Sequence, residues 1–354
     1  MNAHPAAQWQ AACDERLLAA VRGALTDAPA GAAIGVALSA GADSAMLALH
    51  AAVAAADAGR PLHCFHIHHG LQGAADRWQA QAHRLAGLLG ASCHSRRVQV
   101  DARQGLGMEA AARSARYAAL AALADRAGVG HVLLAHHQDD QAETVLLRLL
   151  RGSGPLGLAA MAAVARHNGV TYHRPWLEQP RSLILQAAQR FEALSAWRPV
   201  QDPSNQDPQY KRAAVRLDLA PVLDAHWPAW RRTLSRHARQ ARELAQRAQD
   251  AAREDWLRLD LRDGGASFSL SAWRLLPQAH QAPVLRFWLQ ERGLRMPTEA
   301  RLDAWLKQLR EVHALGHDRQ VRLRHENHWI LVQKGRVRLI SGASDGNILK
   351  TQLE

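Results

Sequence analysis

The first half of the chain alternates short apolar segments with longer helical patterns, and this alternation constrains the fold more than any other feature of the sequence. Strands that alternate with helices form βαβ units and therefore a parallel sheet with helices on both faces, joined by right-handed crossovers. We therefore expect an α/β domain with an open parallel sheet. The predicted strands cover 33–38, 62–68, 94–100 and 131–135, and the predicted helices cover 43–58, 76–89, 108–127 and 138–151.

The pattern changes after residue 151, which indicates a second part of the chain. A length of 354 residues suits about two domains. The later predicted elements are a hairpin turning at Asn168-Gly169 with strands at 164–166 and 170–173, helices at 181–196 and 230–261, two or three helices within 271–310, and strands within 319–340. The expected division is a first domain over 1–217, a smaller, mainly helical second domain with terminal strands and a long linker helix over 218–341, and a flexible tail over 342–354.

The charge balance is strongly basic. The formal net charge is +12, and residues 218–354 carry 23 basic and 16 acidic side chains. Such an excess favours a polyanionic partner such as nucleic acid. A solvated, arginine-rich surface is the alternative that charge alone leaves open.

The three cysteines predict a reducing compartment. Cys13, Cys64 and Cys93 are odd in number and have no CxxC spacing, which argues against a disulfide framework and a zinc ribbon. Cys64 is expected within the second strand, Cys93 just before the third, and Cys13 outside the α/β core. No signal-peptide pattern and no run approaching 18 apolar residues is present, so we expect a cytoplasmic protein without a membrane span.

The segment SAGADS, residues 39–44, lies where the first strand gives way to the first helix. Ligands of open α/β sheets bind at this edge, where a helix N-terminus offers backbone N–H groups to an anion. Gly41 permits close approach, Ser39 and Ser44 can donate hydrogen bonds to phosphate oxygens, and Asp43 requires a bridging cation. A simple helix cap by Asp43 or Ser44 is the alternative. The segment matches neither the Rossmann nor the Walker-A pattern.

A second polar cluster follows the fourth predicted strand. Asp140 and Glu143 are three residues apart and share one helix face, Asp139 lies in the same first turn, and His136 lies at the strand end. The oxygen ligands of Asp43, Asp140 and Glu143 suit Mg²⁺. An acid-rich helix start with solvated charges is the alternative. A zinc site made of histidines is a weaker one because it lacks cysteine partners; its candidates are His66, His68, His69, His136 and His137.

These two clusters carry a family resemblance. SAGADS resembles the SGGxDS loop of the N-type ATP pyrophosphatases, the PP-loop superfamily. Four further segments are similar to the tRNA(Ile)-lysidine synthase family: HIHHGLQ, GMEAAARSARYAAL, LLAHHQDDQAETVLLRLLRGSGPLGLAAM and DPSNQDPQYKRAAVR. The resemblance is dense over about residues 33–217 and weaker over 218–340, where longer members of that family carry an extra RNA-binding domain.

The resemblance implies a ligase reaction. The family joins the amino group of L-lysine to carbon 2 of the wobble cytidine in a minor isoleucine tRNA with a CAU anticodon. ATP first adenylates the base and releases pyrophosphate, and lysine then displaces AMP. The implied cofactors are ATP and Mg²⁺, the implied partners are L-lysine and tRNA(Ile), and a homodimer stays open.

The resemblance also assigns residues by their position in the motifs. It implies ATP binding by Ser39, Ala40, Gly41, Ala42, Asp43, Ser44 and His68. It implies catalytic roles for Asp43, His136, Asp140 and Glu143, with Mg²⁺ or the lysine ammonium held by Asp43, Asp140 and Glu143. Phosphate or tRNA contacts fall to Arg113, Arg116, Arg212 and Arg216, for which surface ion pairs are the alternative.

The sequence departs from the family pattern at several places. Ala40 replaces the second glycine of the loop; a positive φ there would cost roughly 1 kcal/mol, and we expect its methyl group to crowd the phosphate. Ala213 and Ala214 replace an Asn and an Arg that are common in the family. We also expect the final domain of the longest relatives to be absent.

Three other functions compete with this one. A tRNA thiolase of the same superfamily would use cysteine pairs or a CxxC motif, which the sequence lacks. A non-enzymatic RNA-binding protein would have no use for Asp43, Asp140 and Glu143. An adenylating amidotransferase for small molecules would not need the basic second domain.

Overall fold

The computed structural model describes residues 5–68, 73–98, 108–201, 209, 211–312 and 321–341. The last four residues of HIHHGLQ, most of the segment 202–210 and the predicted tail 342–354 lie outside the described residues. The chain forms two compact units, Met1–Arg242 and Glu243–Glu354. The boundary expected at residue 217 for the functional domains stays a prediction.

The first unit contains the predicted parallel sheet. Its six strands lie in the order β3-β2-β1-β4-β6-β5, and every neighbouring pair is parallel except the β5–β6 hairpin. The α/β fold with a mostly parallel sheet is therefore confirmed. The strands are β1 Ile34–Ala37, β2 Leu62–His68, β3 Ser92–Arg97, β4 His131–Leu133, β5 Val164–His167 and β6 Val170–His173.

A 3-10 turn, Pro5–Ala12, precedes the helices of this unit. They are α1 Glu15–Leu25, α2 Ala42–Asp57, α3 Ala75–Leu88, α4 Met108–Arg126, α5 Gln138–Leu149, α6 Pro155–Leu158, α7 Arg181–Ser195, α8 Lys211–Ala214 and α9 Ala220–His226, and a π-helical turn, Val215–Leu219, joins the last two. Helix α2 is buried continuously from Ser44 to Ala55, and it packs against α1, α7 and the sheet. Its many alanines permit this close packing because each side chain is only a methyl group.

The structure corrects two sequence-based placements of cysteines. The third strand begins at Ser92 rather than at residue 94, so Cys93 lies inside it and pairs in register with Cys64. Cys13 is half-buried and packs against the core of the first unit instead of lying outside it. The start of the third strand was missed because Ser92 and His94, which flank Cys93, are polar and give no apolar alternation.

The second unit packs helices on an antiparallel sheet. Its four strands lie in the order β7-β10-β9-β8, and its core contains Trp256, Trp273, Trp288 and Trp305. The indole of Trp288 donates to the carbonyl of Gly265 at 3.0 Å, so this buried polar group is satisfied. The elements are α11 Leu270–Leu275, α12 Gln278–Glu291, α13 Glu299–Glu311, β7 Ser267–Ser269, β8 Val321–His325, β9 His328–Gln333 and β10 Arg336–Ser341.

Helix α10, Trp230–Leu257, contains the point at which the two units divide. The prediction of a long helix in this region is confirmed, although the helix ends four residues earlier than expected. Within the described residues, no helix combines the length and apolar character needed to cross a membrane.

Candidate active site

The site lies where the strand order of the sheet reverses. Strand β1 has β2 on one side and β4 on the other, so the chain leaves β1 toward one edge of the sheet and returns on the opposite side. Such a switch point opens a crevice at the carboxyl ends of the two central strands. The loops after β1 and β4 both reach this crevice, and His137 Nε2 lies 3.7 Å from Asp43 Oδ2.

The loop of residues 39–44, called the phosphate loop below, is held in shape by its own hydroxyl groups. Ser44 Oγ accepts a hydrogen bond from the backbone N–H of Ser39 at 3.1 Å and lies 2.9 Å from Ser39 Oγ. It also donates to the carbonyl of Gly41 at 3.1 Å. Gly41 is the N-cap of α2, and no side chain caps this helix. The first-turn N–H groups therefore have no side-chain acceptor, as an anion site at a helix N-terminus requires.

Ala40 adopts the conformation that the glycine of related loops would favour. Its φ is +67°, and its carbonyl accepts a hydrogen bond from Val200 N–H at 2.9 Å. Ala40 is fully buried and belongs to the apolar core. The substitution thus strains the backbone, while the expectation that its methyl group crowds a phosphate stays a prediction.

His137 lies between the carboxylates of the two loops. Its Nε2 is 3.3 Å from Asp140 Oδ2 and 3.7 Å from Asp43 Oδ2, while its Nδ1 accepts from Asp140 N–H as the N-cap of α5. Burial lowers the pKa of His137, but Asp43, Asp140 and Asp139 outweigh it and raise the pKa. For the Asp43 carboxyl, burial raises the pKa, but His137 and Arg181 outweigh this effect and lower the pKa to about 2. Both aspartates are therefore held in their ionised form, since the pKa of Asp140 is also lowered by His137, His136 and Arg216 against the effect of burial.

Two arginines that sequence reasoning missed complete this part of the site. Arg181, the first residue of α7, pairs with Asp43 through Nε–Oδ1 at 3.1 Å and Nη2–Oδ2 at 3.3 Å. Its backbone N–H also donates to Asp139 Oδ1 at 3.3 Å. Arg231 in the first turn of α10 holds the other oxygen of Asp139 at 2.9 Å and also pairs with Asp224. Asp139 thus ties the start of α5 to two other helices.

Arg216 binds the carboxylates of Asp140 and Glu143 from the π-helical turn. Its Nε lies 2.6 Å from Glu143 Oε1 and its Nη2 lies 2.9 Å from Glu143 Oε2, a two-point contact. Its Nη2 also reaches Asp140 Oδ1 at 3.0 Å. Burial raises the pKa of Glu143 in spite of this partner. Arg212, one turn earlier, donates to Thr144 Oγ1 at 2.9 Å, so both arginines contact α5.

The residues fit a phosphate-bridged magnesium ion better than a cage made only of protein ligands. Mg²⁺ is commonly held by one or two carboxylates together with phosphate oxygens and water. Asp43 and Asp140 face the same imidazole and suit that role. Each already has a guanidinium partner, Arg181 for Asp43 and Arg216 for Asp140, while Glu143 is held by Arg216 at two points. In the part of the chain that the structure describes, no three His, Cys, Asp or Glu residues form a metal-binding group.

A second basic cluster surrounds His136. Burial lowers the pKa of His136 to about 3 against the effect of Asp140, with further lowering by Arg174, Arg116 and Arg212. Its Nδ1 is buried without a hydrogen-bond partner among the described residues. Arg174 donates to the hydroxyl of Tyr117 at 3.0 Å, and Arg113 and Arg116 each lie 5.8 Å from the ring of Tyr117. The predicted arginines of α4 therefore share this cluster with Arg174, which sequence reasoning missed.

His68, the remaining predicted residue, lies at the carboxyl end of β2. Its Nε2 is 2.9 Å from Asp76 Oδ1, and Arg97 reaches the same oxygen at 3.0 Å. The structure thus places His68 at the same edge of the sheet as the phosphate loop, next to an ion pair of its own.

Comparisons with known proteins agree with this fold. A family model described as a PP-loop domain matches residues 15–223, and a model described as a TilS substrate binding domain matches residues 268–338. The tRNA(Ile)-lysidine synthase of Bordetella bronchiseptica is 55% identical over 309 residues, which cover 87% of this chain and 90% of that protein. The tRNA(Ile)-lysidine synthase of Ralstonia nicotianae is 46% identical over 286 residues, which cover 80% of this chain and 60% of that longer protein.

A solved structure extends the comparison to the fold. The U34-tRNA thiolase NcsA from Methanococcus maripaludis, solved with a 4Fe-4S cluster, matches with a TM-score of 0.53 at 15% identity. The match covers 64% of this chain and 77% of that one. The parallel sheet and the phosphate loop at its switch point define a PP-loop enzyme. Within that class, the chain belongs to the tRNA(Ile)-lysidine synthase family, a family of ligase-type enzymes.

Proposed function

We propose that this protein ligates L-lysine to carbon 2 of the wobble cytidine of tRNA(Ile) with a CAU anticodon, and that ATP is converted to AMP and pyrophosphate. The observation that carries the proposal is the contact of one imidazole, His137, with Asp43 of the phosphate loop and Asp140 of the second cluster. It joins a polyphosphate site to a carboxylate site within one crevice. With the reducing environment expected from the cysteines, the reaction is assigned to the cytoplasm.

The polyphosphate of ATP lies against the loop of residues 39–44 in this proposal. The first-turn N–H groups of α2 face its oxygens, and Ser39 and Ser44 hold the loop in shape. Ala40 contributes its backbone, Gly41 leaves room for close approach, and Ala42 begins the helix. Mg²⁺, when bound to Asp43 and Asp140, supplies positive charge to the triphosphate.

Adenylation requires the carbonyl oxygen at carbon 2 of the cytidine to attack the α-phosphorus while the bond to pyrophosphate breaks. The arginines around His136 stabilise the charge that develops on the phosphate oxygens. Because burial keeps His136 neutral, its ring is available to hydrogen-bond the base or the phosphate. The tRNA backbone is assigned to Arg113 and Arg116 on α4.

Lysine is assigned to the pair formed by Glu143 and Arg216. A carboxylate and a guanidinium in direct contact match the ammonium and carboxylate groups of an amino acid. The side-chain amine then attacks carbon 2, and AMP leaves with the carbonyl oxygen. The attacking amine must be neutral and has an ordinary pKa of about 10.4, so the rate should rise with pH.

Cysteine chemistry separates this reaction from thiolation. Burial raises the pKa of Cys13 to about 12 and that of Cys93 to about 11, and the pKa of the fully buried Cys64 is also raised by burial. Thiols in this state are poor nucleophiles. We expect the triple variant C13A/C64A/C93A to keep activity within a few-fold of the wild type, measured as lysine transfer at equal folded protein. A folded triple variant without activity would contradict the assignment.

The direct test incubates the protein with ATP, radiolabelled lysine and total tRNA, followed by digestion and nucleoside analysis. The expected result is a lysine-containing cytidine derivative from isoleucine tRNA, formed with one AMP and one pyrophosphate. A sulfur-containing nucleoside, or no labelled nucleoside from a protein that binds both ATP and tRNA, would overturn the proposal.

A further inference from the structure

The second unit presents a basic and aromatic sheet face that the reaction above does not use. We call it the outer sheet face and define it by Arg322 and Arg324 of β8, Trp329 and Leu331 of β9, and Arg338 of β10. All five occupy alternate strand positions, and side chains at alternate positions point to the same side of a sheet.

Burial and register identify this face as the outer one. The intervening residues Leu323, Ile330, Val332 and Val337 are buried in the core of the unit. Register pairs Arg322 with Leu331 and Leu331 with Arg338, so two exposed arginines flank one leucine in a row across three strands. The next row pairs Arg324 with Trp329.

The charge of the face is unusual for a sheet. Its three arginines are all exposed, and no outward position of β8, β9 or β10 carries an acid. Asp263, outside these strands, lies 4.0 Å from Arg338. Arg336 occupies the same side of β10 as Arg338 but is buried in an ion pair with Asp260, so it adds no exposed charge to the face. Arg322 and Arg324 are separated by two residues of strand, about 7 Å, a spacing comparable with that of successive phosphates along a polynucleotide.

Trp329 adds a flat apolar surface among these charges. It is half-buried, it lies on the opposite side of the sheet from the buried tryptophans of the core, and the Arg324 guanidinium lies 6.0 Å from its ring. Arginines that follow a backbone, combined with an aromatic ring on which a base can stack, are the elements with which proteins bind unpaired RNA.

We propose that the outer sheet face is the surface through which the second unit binds tRNA, with phosphates at Arg322, Arg324 and Arg338 and an unpaired nucleotide on Trp329. The proposal rests on the proposed function only in taking tRNA as the substrate. An acidic protein offers carboxylates in place of phosphates but no unpaired base for Trp329, so the chemistry of the face favours RNA.

The test compares two double variants of equal charge in the full-length protein. R322Q/R324Q alters the outer sheet face. R301Q/K307Q removes two exposed cations from α13, which buries Leu302 and Trp305 in the same core; Trp305 contacts His325 on the inner side of β8. The control cations therefore lie on the far side of the core from the outer sheet face. Binding of isoleucine tRNA is measured by fluorescence anisotropy at several salt concentrations.

We expect R322Q/R324Q to weaken tRNA binding about ten-fold at 0.1 M salt and to reduce the slope of log affinity against log salt by about two. R301Q/K307Q should bind within about two-fold of the wild type, and neither variant should alter ATP binding. W329L should weaken binding while W329F largely preserves it, because either aromatic ring can stack. R322K/R324K keeps the charge and should bind more tightly than R322Q/R324Q, which separates charge loss from misfolding.

If the two double variants lose the same amount of tRNA affinity, the loss reflects net charge and not this face. If R322Q/R324Q binds tRNA as the wild type does, the outer sheet face does not bind RNA. Polyglutamate serves as the probe for an acidic protein. If R322Q/R324Q loses polyglutamate binding but keeps tRNA binding, the outer sheet face binds an acidic protein instead. Wild-type protein that binds tRNA through this face but forms no lysine adduct would refute the proposed function and leave the surface intact. If the wild-type protein forms the lysine adduct while R322Q/R324Q binds tRNA normally, the proposed function stands and the outer sheet face is not the tRNA-binding surface.

Discussion

A single methyl group at Ala40 exerts two opposing effects on stability. The left-handed backbone costs an alanine about 1–2 kcal/mol relative to glycine, while burial of the methyl contributes about 0.8 kcal/mol. Glycine would also lose about 0.4–1 kcal/mol through the greater freedom of the unfolded chain. These contributions nearly cancel, so the sequence can depart from glycine here at little cost.

Replacing Ala40 with Gly should therefore change the free energy of unfolding by less than about 1 kcal/mol. Denaturant unfolding at constant pH measures it. Ala40→Val provides the contrast, because a β-branched residue at φ +67° is strongly disfavoured. Equal stability of the valine variant and the wild type would show that the backbone strain described for this residue does not operate.

Asp43→Asn should abolish lysine transfer and leave the fold intact. The change removes a carboxylate that the site keeps ionised, with a pKa of about 2, and with it the charge offered to a cation at the phosphates. Product formation and thermal unfolding are measured together, with Asp125→Asn on an exposed part of α4 as the control. Near-normal turnover by the Asp43 variant would contradict the assigned role.

Sequence reasoning at this scale found residues that lie near one another in the chain. Asp140 and Glu143 share a helical turn, and Asp43 belongs to a compact loop, so spacing alone identified them as candidates. Arg181 is 138 residues from Asp43, and a single arginine among many carries no local signal. The sequence pointed to His136 rather than His137, because only the structure shows which of the two neighbouring imidazoles faces the carboxylates.

At the scale of elements, one buried histidine joins helices α1 and α2. His50 Nδ1–H donates to the carbonyl of Met46 at 2.7 Å, and its Nε2 accepts from the backbone N–H of Asp14 at 3.0 Å. Asp14 is the N-cap of α1. Both nitrogens are engaged in a way that only neutral imidazole permits, and burial lowers the pKa of His50 to about 4.

This histidine should make the folded state sensitive to acid. Its pKa is lower in the folded state, so its contribution is complete above about pH 6.5 and is lost as the pH falls toward 4. The full contribution is roughly 3 kcal/mol. The stability difference between wild type and His50→Gln should shrink as the pH falls from 7 to 4.5 in denaturant titrations, whereas exposed His83→Gln should track the wild type. A constant difference would contradict the assignment.

The elements found from the sequence are those with a strong periodic signal. Strand β2 has the predicted bounds, and the hairpin at Asn168-Gly169 forms as expected. The strand β7 is only three residues long, too short for alternation to be recognised. The π-helical turn at Val215–Leu219 was also missed, because π-helical turns are rare; Arg216, which contacts α5, lies in this turn.

At the scale of the whole molecule, the division within α10 decides where the chain can be cut. Trp230 packs with Ala142 and Ala220, and Arg242 donates to the carbonyl of Ala159 at 2.9 Å. The first compact unit therefore includes the first half of α10. A truncation at residue 217 would remove these contacts and the Arg231–Asp139 ion pair.

A chain that ends at residue 246 should retain ATP binding and lose at least ten-fold in tRNA affinity at low salt. A chain that ends at residue 217 should bind neither ligand, because α5 loses its support. Calorimetry with ATP and anisotropy with tRNA measure the two effects. If the longer fragment binds tRNA as tightly as the full chain at every salt concentration, the second unit is not an RNA platform.

The crevice pairs its charges before any ligand arrives. The carboxylates of Asp43, Asp139, Asp140 and Glu143 lie against the guanidinium groups of Arg181, Arg231 and Arg216 and against His137. A phosphate that pairs with one of these guanidinium groups leaves a carboxylate without its partner, unless a cation enters with the phosphate and takes the vacated position. In the proposed reaction, nucleotide entry would then exchange counter-ions, and a cation that enters with the nucleotide would reduce the negative charge that it brings. Under the proposed function, we expect such a crevice to prefer the cation–nucleotide complex to the bare nucleotide through contacts at short range rather than through long-range attraction.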